Sequence, residues 1–399
     1  MYLLFELLLF SPLIIYACIQ VRKLIPGSAI KHLFGFFFIL MFLGYPIAEL
    51  LSHHRIGGWA RCVIIPGYYC LPYLLYLTLS VAAIDGGVIL LRKVRLLRLE
   101  TISASAFRSI RLSLYLFVPA LIVVWGSWNN NRLEIKKLSV ELPQKSSSIE
   151  NLHIVFASDF HLTQITNKHV VEAFVSKVNN LNPDIVLIGG DVLEGDREED
   201  LEKYEAEFRK IRAKYGVYAA SGNHERHRGD AGSFYARSGM KLIEDGVEEI
   251  GGAFYLGVRK DGRVSQRMPI SELLKKAPGN LPIILLDHTP TDLENVSRSR
   301  VDLQLSGHTH DGQLFPVNLL VMPFQYELAW GTKIKRHTVF TVSSGVQAWG
   351  PPVKTAGKSE MLSVEIRFRD REYIQKADSI VPWAANFRNR IAIAPMRVF

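Results

Sequence analysis

The stretch that decides the fold runs from Leu152 to His161 and reads Leu-His-Ile-Val-Phe-Ala-Ser-Asp-Phe-His. Its first part, Leu152–Ser158, is rich in Val, Ile and Phe and predicts a buried β-strand. Asp159 and His161 follow directly, and side chains two residues apart in an extended chain point to the same side. Both side chains can therefore reach one metal ion at the carboxyl end of this strand.

Four further apolar runs end in the same way, each in a short polar segment with side chains that can bind metal. The predicted strands are residues 184–189, 216–221, 282–286 and 301–305. The polar segments are Gly190-Asp191, Gly222-Asn223-His224-Glu225, Asp287-His288 and Gly307-His308-Thr309-His310. Helix-like stretches at 168–180 and 198–214 lie between the first strands. Because α/β proteins place their sites beyond the carboxyl ends of strands, we expect the five segments to meet.

The residue types in these segments indicate the chemistry of the site. Carboxylate, imidazole and amide ligands without cysteine suit Mn, Fe or Zn. A single histidine in a loop is usually an ordinary polar residue, but five such segments after five predicted strands are hard to explain by chance. Two ions about 3.5–4 Å apart can stabilise both the attacking and the leaving oxygen in a displacement at phosphorus. The set therefore predicts a hydrolase with two divalent metal ions (Mn, Fe or Zn).

At these residues the chain resembles the calcineurin-like metallophosphoesterase superfamily, and in particular its membrane-linked bacterial branch of YkuE-type phosphoesterases. The resemblance covers about Leu138 to Arg367 and includes all five segments in order. Ser343-Ser344-Gly345 and Trp349-Gly350-Pro351-Pro352 resemble the loop that follows the last metal ligands in that branch. Asp311 is a departure, since many relatives have glycine there, and it adds a negative charge beside the site. The resemblance implies an α/β sandwich of two mixed β-sheets flanked by helices.

The resemblance also implies a role for each polar side chain. The first ion would be bound by Asp159, His161 and His310, and the second by Asn223, His288 and His308. Asp191 would bridge the two ions, and a hydroxide between them would attack the phosphate ester. His224 would stay off the metals and act as the catalytic acid that stabilises the phosphoryl oxygen or protonates the leaving group. The residue type agrees, because histidine alone titrates unperturbed near neutral pH.

The first 131 residues have a different composition from the rest and predict an α-helical transmembrane domain. Their apolar stretches are Tyr2–Val21, His32–Leu51, Ala60–Leu91 and Leu112–Trp128. A helix of about 20 residues crosses a hydrocarbon layer of ~30 Å, and all but the last stretch reach that length. We therefore expect four transmembrane helices in residues 1–131, a catalytic domain in 132–378 and a basic tail in 379–399. We therefore expect a multi-pass protein of the cell inner (plasma) membrane, whose partner is the lipid bilayer.

The basic residues of the predicted loops indicate the orientation. The loops after the first and third spans share one side and carry Arg22, Lys23, Lys31, Arg92, Lys93, Arg95, Arg98, Arg108 and Arg111. The opposite side carries Arg55, Arg61, Arg132, Lys136 and Lys137. Cytoplasmic loops are enriched in Lys and Arg, so the catalytic domain is predicted outside the cytoplasm. The basic cluster after the fourth span argues for the opposite orientation, and a change of one in the number of spans would reverse the prediction.

The net charge of +9 does not indicate a nucleic-acid partner. Residues 1–131 hold eleven Lys or Arg against four Asp or Glu, a net +7 of that total. The excess is the charge of membrane loops, and no nucleic-acid partner is predicted. All three cysteines also lie in the membrane segments, so the catalytic domain does not depend on disulfides.

These patterns predict a membrane-anchored phosphoesterase that hydrolyses a phosphate ester. The membrane domain favours an amphiphilic substrate, such as a lipid-linked or cell-envelope phosphate. The alternative is that the helices only anchor the enzyme, and the sequence supports the two about equally. A second alternative is a pyrophosphatase on a nucleotide-sugar lipid such as a lipid A precursor. A non-catalytic membrane sensor with a phosphoesterase fold is a third, and the full ligand set argues against it.

Overall fold

A computed structural model describes residues 2–52, 58–94, 103–163, 166–194, 201–225, 231–264 and 266–370. The predicted basic tail at 379–399 lies outside these residues. The chain divides into two compact units. Residues 1–129 with 350–355 form one, here called the helical unit, and residues 130–349 with those from 356 onward form the other, here called the α/β unit.

Four long helices make up most of the helical unit. They are α1 Tyr2–Leu24, α2 Ser28–Ser52, α3 Arg61–Lys93 and α4 Ala104–Asn130. Among the described residues, α2, α3 and α4 are long and apolar enough to cross a membrane, whereas α1 is not one of these three. The sequence predicts four spans. The described part of the structure has three candidate spans, and the place of the first predicted span is taken by helix α1.

Small residues allow α2 and α3 to approach closely. A Cβ atom on Gly67 of α3 would lie 2.6 Å from the Cβ of Ala48 in α2, and one on Gly44 would meet the side chain of Cys70. Close backbone approach at small residues is how helices pack when the surrounding lipid is as apolar as the side chains. Helices α2 and α3 therefore pack through close van der Waals contact.

The α/β unit contains two six-stranded sheets. The first has the order β1-β12-β2-β3-β4-β5 and the second the order β10-β11-β9-β8-β7-β6. The strands are β1 Glu134–Pro143, β2 Asn151–Ala157, β3 Ile185–Ile188, β4 Val217–Ala219, β5 Lys241–Leu242, β6 Gly246–Ile250, β7 Phe254–Arg259, β8 Ile283–Asp287, β9 Leu303–Ser306, β10 Gly331–Lys335, β11 Thr338–Val342 and β12 Glu360–Arg369. Strands β2 to β5 run parallel, as do β7, β8, β9 and β11, while β12 runs antiparallel to β2. Both sheets are mixed, as the sequence predicts.

Apolar side chains between the sheets form the main core. Phe156 and Leu187 of the first sheet lie in one cluster with Leu256, Ile284 and Leu305 of the second, and all five are fully buried. Helices cover the two outer faces: they are α5 His169–Leu181, α6 Glu202–Phe208, α7 Ala231–Arg237, α8 Ile270–Leu273 and α9 Leu293–Ser297. Burial on both faces explains why these strands are continuous apolar runs. The predicted two-sheet sandwich flanked by helices is confirmed.

The second predicted helix is shorter than the pattern suggests. Within 198–214, the described residues form α6 only over Glu202–Phe208. After Arg209 the chain turns and becomes extended, because the N–H of Tyr215 bonds to the carbonyl of Asp184 and the carbonyl of Gly216 accepts from Val186. These bonds to β3 and its flank compete with helix formation and lead the chain directly into β4.

Candidate metal centre

The turns after β2, β3, β8 and β9 bring two groups of predicted ligands together. Asp159, His161 and His310 have ligand atoms within 4.8 Å of one another. Asp191, His288 and His308 form a second group by the same measure. Since the strands that carry these turns are neighbours in two facing sheets, their carboxyl ends open on one edge of the sandwich. Each of the two groups could hold one metal ion.

Five of the seven predicted ligands have unusual backbone conformations. Their φ angles lie in the left-handed region: 58° at Asp159, 43° at His161, 51° at Asp191, 71° at His308 and 51° at His310. A side chain there costs about 1–3 kcal/mol per residue and persists only where the surroundings fix it. Such conformations concentrate at functional sites, so their occurrence at five predicted ligands supports the assignment.

Hydrogen bonds hold these strained turns in place. The N–H groups of Phe160 and His161 bond to the carbonyl of Asp191 at 2.9 and 3.0 Å. The N–H of His308 lies 3.0 Å from both carboxylate oxygens of Asp159. These bonds join the turn after β2 to the turns after β3 and β9, so the two ligand groups are fixed relative to each other.

The Ser343-Ser344-Gly345 loop lies directly against the site. Gly345 has a φ of +81°, and a Cβ there would lie 2.7 Å from the Cβ of Asp159. A glycine is needed both for the backbone angle and for the close approach. The resemblance noted for this loop therefore corresponds to a structural contact with a predicted ligand.

Three histidines have their tautomer fixed by the atoms around them. Nδ1 of His288 lies 2.7 Å from the carbonyl oxygen of Gly189, and Nδ1 of His310 lies 3.0 Å from that of Gln347. A carbonyl oxygen only accepts, so each Nδ1 carries the proton. Nδ1 of His161 lies 2.6 Å from a carboxylate oxygen of Glu194 and donates in the same way. In the neutral form of each imidazole, Nε2 then carries the lone pair and lies beside another predicted ligand, which is how metal-binding histidines are oriented.

The polar atoms at the centre fit a divalent ion. Nε2 of His161 and Nε2 of His310 lie 3.0 Å apart, so with both Nδ1 atoms protonated two lone pairs face each other. Oδ1 of Asn223 is buried and has no hydrogen-bond partner among the described residues, and Nε2 of His288 is buried 2.9 Å from a carboxylate oxygen of Asp191. Leaving an oxygen such as that of Asn223 unsatisfied costs about 1–3 kcal/mol. A cation relieves both problems, and the donor set of carboxylate, imidazole and amide oxygen suits Mn, Fe or Zn.

His224 lies beside the two groups and is bound by a residue that the sequence analysis missed. Its Nδ1 is 2.8 Å from Glu194, the same carboxylate that bonds to His161, and its Nε2 is 4.0 Å from Asp191. Burial would lower the pKa of His224, but the hydrogen bond to Glu194 and the charge of Asp191 raise it to about 9. Burial would raise the pKa of Glu194, but hydrogen bonds from His161 and His224 lower it to about 2. The pair is ionised, and His224 carries a proton.

Glu225 is a second residue whose role the sequence did not reveal. Its buried carboxylate accepts four backbone hydrogen bonds, from Asp191 at 3.0 Å, Val192 at 2.6 Å, Leu193 at 2.9 Å and Gly222 at 2.7 Å. One side chain therefore fixes the turn after β3 and its distance from the turn after β4. The only sequence signal was its place at the end of the Gly-Asn-His-Glu segment.

A cleft of about 440 Å³ opens onto the ligands. Its described lining is Asp191, Asn223, His224, Arg263, His308, Thr309, His310, Gly312, Gln313, Met322, Gln325, Tyr326 and Trp349. Nη2 of Arg263 lies 3.2 Å from Nε2 of His308, and the ring of Trp349 lies 5.9 Å from that of His224. Burial and the nearby His288 lower the pKa of His308 to about 3, so this imidazole is neutral and can bind metal. Asp311, expected to bring charge to the site, is not among the described lining residues.

Comparison with known proteins agrees with this geometry. Residues 152–312 match the family model described as calcineurin-like phosphoesterase. A zebrafish protein named transmembrane protein with metallophosphoesterase domain is 26% identical over 67% of this chain and 65% of its own length. An uncharacterized metallophosphoesterase of Campylobacter jejuni is 26% identical over 87% of this chain and 92% of its own.

A third relative is named for its activity. The Chlamydia muridarum protein named UDP-2,3-diacylglucosamine pyrophosphatase LpxG is 32% identical over 28% of this chain and 35% of its own length. This chain thus spans less than two thirds of the zebrafish and Chlamydia relatives. The family match over residues 152–312, the two-sheet sandwich and the grouped ligands agree with one another: this part of the chain is similar to the calcineurin-like phosphoesterases, and that similarity indicates a hydrolase.

Proposed function

We propose that the α/β unit hydrolyses a phosphate ester with two divalent metal ions. One ion is assigned to Asp159, His161 and His310, the other to Asn223, His288 and His308, and Asp191 is assigned to both. The observation that carries the proposal is the close approach of metal-binding atoms: Nε2 of His161 and Nε2 of His310 lie 3.0 Å apart, and the buried Oδ1 of Asn223 has no hydrogen-bond partner among the described residues. When bound, the two ions would supply an activated water and neutralise charge on the phosphoryl group.

The side chains around the ions have separate tasks. Burial would raise the pKa of Asp191, but the positive charge of His288 lowers it well below the usual value, so the carboxylate stays anionic. Its Oδ1 also accepts the N–H of His224 at 2.8 Å, which fixes its orientation. His224 is held by Glu194 through Nδ1, lines the cleft and can donate its Nε2 proton to a leaving oxygen.

The substrate we propose is an amphiphilic phosphate ester, such as a lipid-linked or cell-envelope phosphate. The support is the association of the domain with three candidate membrane helices, which also agrees with the name of the zebrafish relative. We further propose that the domain lies outside the cytoplasm. The loop between α3 and α4 and its flanks carry six of the basic residues that favour the cytoplasmic side, and only α4 separates that loop from the α/β unit.

A pyrophosphatase acting on a nucleotide-sugar lipid is the second candidate. The relative named UDP-2,3-diacylglucosamine pyrophosphatase favours it, and so does Arg263, whose guanidinium beside His308 can meet the charge of a second phosphate. A nucleotide-linked substrate requires a cytoplasmic domain, so the orientation of the chain discriminates between the two candidates. A non-catalytic sensor would bind metal without turnover or bind none.

The test uses the full-length chain purified in detergent and supplied with Mn²⁺. Metal content by elemental analysis and hydrolysis of aryl phosphates, lipid-linked phosphates and a nucleotide-sugar lipid are measured together. We expect two ions per chain, and Asp191→Asn should remove hydrolysis and weaken binding of both. Asp370→Asn, a matched change at an exposed residue, should alter neither. Full activity and metal content in Asp191→Asn would contradict the assignment.

A further inference from the structure

The exposed large apolar side chains of the α/β unit all fall within one part of the chain, between residues 315 and 349. Among its described residues they are Phe315, Leu319, Phe324, Trp330 and Trp349, with exposed fractions of 52%, 59%, 87%, 41% and 44%. Single exposed apolar residues scattered over a surface are normal and need no explanation. A group confined to a short stretch of chain instead marks an interaction surface.

A short helix connects this apolar surface with the cleft. Helix α10, Val317–Gln325, begins soon after His310, and residues 314–325 contain no charged side chain. Met322 and Gln325 of α10 line the cleft, whereas Leu319 and Phe324 of the same helix are exposed to solvent. Whatever covers the exposed part of α10 therefore also borders the site.

The composition of this region favours a bilayer interface over a protein partner. The indole N–H of Trp330 bonds to Glu360 at 2.9 Å, and the ammonium of Lys136 lies 4.1 Å from the ring centroid. Tryptophan with a polar end and an adjacent lysine is typical of membrane–water interfaces. The candidate spans of the same chain keep the α/β unit within reach of lipid at all times, which raises the effective concentration of that partner far above any other.

We propose that α10, through Phe315, Leu319 and Phe324, inserts into the boundary between headgroups and acyl chains of a lipid bilayer. The cleft then opens at the membrane surface, where the phosphate of a lipid reaches it while the acyl chains stay in the bilayer. The proposal rests on the proposed function and specifies the source of the substrate. Interfacial binding strength scales with the apolar area that is buried, so a few inserted side chains give reversible contact, which suits an enzyme that must also release its product.

Fluorescence of the full-length chain in nanodiscs tests the insertion. Cys18, Cys62 and Cys70 are first replaced by serine. An environment-sensitive label is then placed at Leu319→Cys, at Phe324→Cys, or at Ser176→Cys on the exposed surface of α5 as the control. The discs contain phosphatidylcholine and phosphatidylglycerol, with or without lipid that is spin-labelled near the headgroup. Thermal unfolding of each labelled protein verifies that the unit is folded.

We expect a blue-shifted emission at positions 319 and 324 that the spin-labelled lipid quenches, and neither effect at position 176. Emission at 319 and 324 equal to that at 176 would overturn the proposal. A blue shift without quenching would also overturn it, because protein and not lipid would then cover the helix. The measurement does not depend on turnover. Insertion without hydrolysis would refute the proposed function alone, and hydrolysis without insertion would refute this inference alone.

Discussion

Two glutamates of the α/β unit act on the site through other residues. Glu194 holds a predicted ligand and the predicted acid together, since His161 and His224 each bond to one of its oxygens. Glu225 fixes the backbone around Asp191 through four N–H groups. Partners of this kind set the orientation and basicity of ligands, and we therefore class both as positioning residues.

Replacing the proposed acid should separate catalysis from metal binding. We expect His224→Ala to lower kcat by about 10²–10⁴-fold while both ions remain bound. The loss should shrink for aryl phosphates, whose leaving oxygen needs no proton. Kinetics over a series of leaving groups, together with elemental analysis, measures both quantities. His169→Ala, at an exposed histidine that also pairs with a glutamate, is the control. Loss of an ion from His224→Ala would make this residue a ligand instead.

Glu225→Ala should weaken metal binding although Glu225 is not itself a predicted ligand. The four N–H groups that it satisfies would lose their acceptor, and the turn bearing Asp191 would lose its fixed position. Changes at such supporting residues lower metal affinity by about 10–100-fold, which titration calorimetry can measure. Glu249→Ala, at an exposed position of β6, should leave the affinity unchanged. Wild-type affinity in Glu225→Ala would show that the turn holds its shape unaided.

At the scale of elements, a buried ion cluster secures the end of β8. Asp287 is fully buried and bonds to Arg259 of β7 at 3.3 Å and also to Arg267. Burial raises the pKa of Asp287 to about 6, so at neutral pH the carboxylate is ionised and balances the two cations. His288 follows directly, and the cluster therefore fixes the strand end from which this predicted ligand leaves the sheet.

Asp287→Ala should destabilise the α/β unit by about 3–5 kcal/mol, because it leaves buried guanidinium groups without a counter-charge. The free energy of unfolding, measured with denaturant at neutral pH, gives the magnitude. Asp370→Ala removes an exposed carboxylate and should change it by less than about 0.5 kcal/mol. A similarly small effect of Asp287→Ala would mean that water or another anion takes its place.

The sequence predicts a strand well when its own residues identify it, and poorly when the strand pairs with partners far away along the chain. Strands β2, β3, β8 and β9 are buried on both faces, and their apolar runs alone identify them. Strand β12 lies between β1 and β2, more than two hundred residues away in the chain, and its neighbours cannot be read from a local pattern. The same reason explains the residues that were missed. Glu194, Glu225 and Arg263 acquire roles only when distant turns meet, and the uncharged run 314–325 indicates exposure only once the fold places it at the surface.

For the whole molecule, the orientation in the membrane decides between the two substrates. We expect alkaline phosphatase fused after Phe399 to be active and a green fluorescent protein at the same place to be silent. The pair inserted after Val94 should give the opposite result, because α4 is the one candidate span that the described residues between the two positions contain. The reverse pattern at Phe399 would place the domain in the cytoplasm and favour the nucleotide-sugar lipid.

The left-handed backbone at five of the seven predicted ligands has a consequence for laboratory evolution. At each of these positions glycine would adopt the observed φ angle without steric penalty, although it also makes the unfolded chain more flexible. Substitution by glycine would relieve the backbone strain at these positions only by removing the groups that bind metal. A stability–activity trade-off is built into these turns, and a thermal screen of this protein needs a simultaneous activity screen to keep the site intact.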